Sequence, residues 1–131
     1  MDDATVEQLK SLLIGAVCTE VEYTGSLPFI RFGSIGLWIA CAWRIVNDGE
    51  IVAGSDPGDN VKEEVRNLLV GQQLSSVEVT GDFNDLFLRF ADGITLETFA
   101  DNGEYERWHV SAGPGNMIVA GPGRLWSVWR P

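Results

Sequence analysis

The chain reads as an α+β fold. A mostly antiparallel sheet is expected, built from two helix-plus-β-meander repeats about a pseudo-twofold axis, with two short helices packed outside. Three observations carry this reading. The run from Phe87 to Phe99, F-L-R-F-A-D-G-I-T-L-E-T-F, alternates as two strands around a tight turn. A fainter copy lies earlier, with Phe29-Ile30-Arg31-Phe32 answering Phe87-Leu88-Arg89-Phe90 and Leu37 to Trp43 answering the second strand. An amphipathic stretch closed by a glycine precedes each copy.

In chain order, residues 4–14 place Val6, Leu9, Leu12 and Leu13 at helical spacing. Asp2, Asp3 or Thr5 can cap that helix, and Gly15 ends it. Val17 to Tyr23 alternates, with Val17, Val21 and Tyr23 on one face and Glu20 and Glu22 on the other; Cys18 shares the parity of the glutamates and is expected exposed. After the Thr24-Gly25-Ser26 turn, Pro28 opens a strand ending at Phe32. Leu37 to Val46 reads as one longer strand, apolar on both faces and therefore central. Asn47-Asp48-Gly49 turns it into a return strand from Glu50 to Ala53.

The loop from Gly54 to Asn60 superficially resembles a calcium loop. It lacks the alternation of ligands and the terminal bidentate Glu. Asn60, with Glu63 three residues on, has capping-box spacing for a second helix. Val61, Val65, Leu68 and Leu69 form its apolar stripe, and Gly71 ends it. Further strands are expected at Leu74–Thr80, Leu86–Phe90, Ile94–Phe99, Tyr105–Ser111, Met117–Ala120 and Arg124–Arg130.

The repeat has a measurable offset. Ser11–Gly15 matches Asn67–Gly71, and Val21–Gly25 matches Val77–Gly81, both at 56 residues. The Phe-x-Arg-Phe strands match at 58, and Ile51–Gly54 matches Ile118–Gly121 at 67. Small loop insertions explain the drift. The expectation is a single domain, 1–131, with repeats at 4–58 and 59–124 and a last strand at 124–130. Arg44 then lies near the repeat equivalent of Asp101, where the two could pair across the axis. A buried pair would make Arg44→Ala destabilising by several (~3–5) kcal/mol.

Charge narrows the partners. Nine Lys and Arg against 19 Asp and Glu give a formal net charge of -10. That field repels nucleic acid and anionic membrane and attracts basic proteins. No run approaches membrane-span length, and the two cysteines, Cys18 and Cys41, lie outside any metal-type spacing. A cytoplasmic protein with free thiols is expected, Cys41 being buried and inert. His109 is the only histidine, which excludes His-rich metal sites. It reads as a partly buried residue that titrates near neutrality, or as a general base beside Asp101 or Glu106. The Gly-Pro-Gly runs at 113–115 and 121–123 lack the context for phosphate cradling. No catalytic residue, metal ligand set or cofactor motif is identified.

Tyr105, Trp108, Trp126 and Trp129, with Trp38 and Trp43, are many aromatics for one small core, and acidic residues surround them in sequence. Such a set suits a protein interface or a small-molecule pocket. The order Leu13-Ile14-Gly15, Cys41-Ala42-Trp43-Arg44-Ile45, Leu88 to Gly93, Leu96 to Phe99, Trp108 and Val119 to Gly123 resembles a family of small bacterial proteins carrying a domain of unknown function. That resemblance brings no catalytic residues. By analogy alone, small acidic bacterial proteins of this kind look like immunity proteins of toxin systems.

The reading is a non-enzymatic acidic binding protein, an immunity protein against a basic toxin being its sharpest form. The candidate binding residues are Arg44, Asp101, Tyr105, Trp108, His109 and Trp126. The alternative is a small-molecule binder or enzyme using a cleft between the repeats, lined by His109, Asp101 and Arg44. A homodimer is a third possibility.

Overall fold

A computed structural model describes residues 1–55, 59–101 and 103–130, with backbone alone at 59 and 60. The chain runs α1 (Asp3–Leu13), β1 (Glu20–Thr24), β2 (Leu27–Phe32), β3 (Ile35–Ile39), β4 (Ala42–Asn47) and β5 (Glu50–Gly54). It continues α2 (Asp59–Leu69), β6 (Leu74–Thr80), β7 (Asp85–Phe90), β8 (Thr95–Phe99), β9 (Trp108–Ser111), β10 (Met117–Ala120) and β11 (Trp126–Trp129). Helix α1 starts where Asp2, in extended conformation, accepts the Thr5 N–H at 2.9 Å. Gly15, at φ 87, turns the chain away just past its end. Leu9 and Leu13 point inward and are fully buried. The Asn60 cap and the calcium-like loop fall on or beside residues outside the described set; the helix itself already includes Asn60.

The strands form two antiparallel sheets, ordered β1-β2-β3-β9-β10-β11 and β5-β4-β8-β7-β6. One row of directly opposed residues crosses each sheet on its inner face. In the first it is Val21, Ile30, Leu37, Val110 and Ile118. In the second it is Val77, Leu88, Leu96, Ile45 and Ala53. All ten are buried and belong to one hydrophobic cluster, so the period-2 alternation of each strand joins the sheets through their apolar faces. Helix α1 packs on β6, and α2 packs on β1 and β5. These are edge strands, and a helix laid on an edge blunts its tendency to pair with another chain. Among the described residues, no helix is long and apolar enough to cross a membrane.

Two sheets stand where one was expected, and the cause is local. The expected strand Leu37–Val46 breaks at Ala40-Cys41. Ala40 N–H still donates to Arg107 O, in the first sheet's ladder, at 2.7 Å. Two residues later, Ala42 pairs with Phe99 in the second sheet. The apolar pattern continues through the bend, since Leu37, Ile39, Cys41, Trp43 and Ile45 are all buried. The opposite parity is not covered: Trp38, Arg44 and Val46 are only half-buried and Ala40 is exposed.

The Cys18 expectation is also corrected. Cys18 is 1% exposed, because residues 16–18 do not continue β1. They instead bridge to the segment after α2. Cys18 N–H donates to Gln72 O at 2.9 Å, Gly71 N–H to Cys18 O at 2.8 Å, Gly15 N–H to Leu74 O at 2.8 Å and Leu74 N–H to Ala16 O at 2.9 Å. Val17 faces Gln73 between these bonds. The strand expected at Tyr105–Ser111 starts only at Trp108, and the one expected at Arg124–Arg130 spans Trp126–Trp129.

Candidate protein-binding site

At the end of the β6–β7 hairpin remote from Val17, three loops meet: the turn 81–84, the connection 100–107 and the turn 121–125. Asn84 ties them together. It is 2% exposed and sits at φ 56, a left-handed conformation that Asn tolerates better than most residues. Its side-chain amide donates to Arg124 O at 3.2 Å, and its carbonyl accepts from Trp108 Nε1 at 2.8 Å. Arg107, 1% exposed, donates through Nη2 to Phe83 O. Among the described residues its Nε and Nη1 have no hydrogen-bond partner. The third loop lies close enough that a Cβ on Gly121 would stand 2.7 Å from Tyr105 O.

On this base three apolar side chains face solvent, one from each loop: Phe83 at 45%, Tyr105 at 64% and Leu125 at 65% exposed. The same loops carry Asp82, Asp101, Glu104 and Glu106, all exposed, against one exposed cation, Arg124, which lies 3.4 Å from Asp82. An apolar centre with a charged rim is the anatomy of a protein-binding surface.

The six candidate residues separate. Asp101, Tyr105 and Trp108 belong to this end, and Trp126, half-buried, follows Leu125 on β11. Tyr105 is the exposed member, while Trp108 lies beneath at 1% exposure and supports the surface rather than presenting itself. Arg44 is on the outer face of the second sheet. It pairs with Glu97 through Nε and lies 4.6 Å over the Phe99 ring. The expected Arg44–Asp101 pair is thus replaced by Arg44–Glu97, because β4 and β8 are direct neighbours and their register opposes these two residues. The Asp101 carboxylate instead accepts the Ala42 N–H at 3.2 Å.

His109 is on the outer face of the first sheet, half-buried, 6.0 Å from the Trp38 ring. Burial holds its imidazole below the usual value, and Glu106 partly opposes this. A groove of about 220 Å³ is lined by Ser26, Leu27, Cys41, Trp43, Ser55 and Asp101, among others; neither Arg44 nor His109 lines it. Burial pushes the Cys41 thiol up to about 11, with Asp101 adding and Thr98 and Arg107 opposing. Burial likewise pushes Cys18 up to about 11. Neither is an activated nucleophile. Among the described residues, no three His, Cys, Asp or Glu converge in a metal-binding group.

Phe83, Leu125, Asn84 and Arg107 escape a reading of the sequence for chemistry. The available signal is a large apolar residue inside a turn, as in Gly81-Asp82-Phe83-Asn84 and Gly123-Arg124-Leu125. Turns prefer small polar residues, so a Phe or Leu there needs a reason. Comparison with protein-family models, curated proteins and solved structures finds no match to this chain.

Proposed function

We propose that this chain is a non-enzymatic binding protein that holds a basic protein against the Phe83–Tyr105–Leu125 end, as an immunity protein would hold a basic toxin. The observation carrying the reading is the pairing of three exposed apolar side chains with four exposed carboxylates, on loops fixed from below by Asn84, Arg107 and Trp108. Apolar contact supplies affinity, and the acidic rim speeds and orients the approach of a cationic partner. Thiols held in the protonated form, and the absence of Arg44 and His109 from the lining of Asp101's groove, favour this over the enzyme reading.

A neighbouring toxin gene provides the test. Co-expression of this protein should restore growth to cells making that toxin. Glu104→Lys combined with Glu106→Lys should abolish protection and leave the melting midpoint unmoved. A harmless neighbour, or protection indifferent to the charge reversal, removes the proposal.

The architecture also supports the duplication expected from the sequence. Renaming β1–β5 as β6–β10, and the reverse, turns the order β1-β2-β3-β9-β10 into β6-β7-β8-β4-β5. The bonds around Val17 and Gln73 are likewise related by a shift of 56 residues: Gly15 N–H to Leu74 O corresponds to Gly71 N–H to Cys18 O. We read a pseudo-twofold axis passing beside that bridge. Each meander is then completed by two strands from the other copy, so neither repeat should fold alone. Expression of residues 1–58 as a soluble folded fragment would overturn this.

A further inference from the structure

The Val17–Gln73 bridge joins two stretches with a shared peculiarity. Residues 11–19 and 67–77 contain no charged residue, in a chain that carries 28 charges among 131 residues. The backbone bonds from Gly15, Cys18, Gly71 and Leu74 hold them side by side. From this surface Ile14, Val17 and Val70 project at 46%, 43% and 45% exposure. Ser11, Asn67 and Gln73, also exposed, add polar groups without charge. Each stretch is flanked by one residue of each sign, Lys10 and Glu20 for the first, Arg66 and Glu78 for the second.

We infer that this patch is where a second copy of the chain docks, the same surface on both partners about a twofold axis. The occupant follows from charge. Each copy carries -10, so self-association through most of the surface sets carboxylates against carboxylates. Here two copies can bury exposed aliphatic side chains with no like-charge contact at the centre. A basic partner, drawn by carboxylates, has no such reason to choose it. The patch lies at the opposite end of the β6–β7 hairpin from Phe83, about 20 Å away at strand spacing, so a dimer leaves the acidic end open.

Sedimentation of the full chain over a concentration series, at low and high salt, tests this. A dimer is expected, and it should strengthen with salt as the mutual repulsion is screened. This sets it apart from a complex with a basic partner, which salt weakens. Val17→Asp and Val70→Asp each bring two carboxylates into the buried contact, one from each copy, and each should weaken dimerisation about tenfold or more. Thermal unfolding checks that the variants fold; should one fail, Asn67→Asp, a near-isosteric change at an exposed side chain of the patch, carries the same test. A wild-type chain monomeric throughout, or a dimer indifferent to the folded variants, overturns the inference.

Discussion

The two ends of the β6–β7 hairpin differ in the balance of backbone and side-chain bonds that hold them. At the Val17 end, four backbone hydrogen bonds of 2.8–2.9 Å join the segments after the two helices. At the Tyr105 end, loops are joined through the side chains of Asn84, Arg107 and Trp108. Backbone bonds survive almost any change of side chain, whereas the second set depends on three particular residues. The first end is therefore less dependent on its side chains, one bond from Gln73 Nε2 to Gly15 O at 3.0 Å and the left-handed Gly15 and Gly71 excepted. The second is a surface whose shape depends on what lies beneath it.

Mutations separate the two. The largest effect belongs to Trp108→Ala, which empties a fully buried site and leaves Asn84 O without its donor; it should cost about 3–5 kcal/mol in denaturant unfolding. Gly121→Ala comes next. Its Cβ would meet the Tyr105 carbonyl at 2.7 Å, and its φ of 101 is strained for any other residue, so a loss of roughly 2–4 kcal/mol is expected. Both should also loosen the 100–107 loop, seen as faster amide exchange there, with the bonds of the Val17 end unaltered.

Arg44→Ala, away from both ends, should lose only about 1 kcal/mol by the same unfolding assay. The Arg44 side chain is 42% exposed, so solvent screens its pairing with Glu97. The several kcal/mol expected of a buried pair do not apply. Smaller still is the effect of His109, visible as a slope in stability against pH. Its folded-state value lies below the ordinary 6.5, so the unfolded chain takes up the proton first as pH falls. Stability is full above 6.5 and declines as pH drops from there to the lower folded value. His109→Gln should flatten that decline; an unchanged slope would point to carboxylates instead. At the Val17 end, Val17→Ser should shift stability by no more than about 0.5 kcal/mol.

The outer faces of the two sheets repeat the lesson at the level of single positions. A row of opposed residues reads Phe29, Trp38, His109 and Val119 on the first sheet. On the second it reads Phe87, Glu97, Arg44 and Gly54. Phe29 and Trp38 sit 4.7 Å apart between ring centroids, where the second sheet has Phe87 and Glu97. Similar strands thus carry an aromatic row on one sheet and an ion pair on the other.

Much of this was readable from residue order. Helices α1 and α2 lie within a residue or two of their expected places, since amphipathic period, Asp2 and the following glycines are local signals. Most strands were found for the same reason. Tyr105 and Asp101 stood out as candidates because an acidic, aromatic loop is conspicuous. Their support was not. Arg107 and Asn84 look like ordinary surface residues until strands far apart in sequence enclose them.

Period and turn chemistry act between near neighbours, and they were enough to mark the helices, most of the hairpins and the parity of most strands, Val17 and Cys18 excepted. Sheet membership is different. The bend at Ala40-Cys41 preserves the apolar alternation, so nothing within those residues marks it. It is visible only in their partners, Arg107 for Ala40 and Phe99 for Ala42. The Ala42 bond to Asp101 spans 59 residues and the Trp108 bond to Asn84 spans 24. Contacts at such separations depend on how whole strands dock, and for that reason the acidic end, with its exposed Phe83 and Leu125, emerged only when the chain was folded.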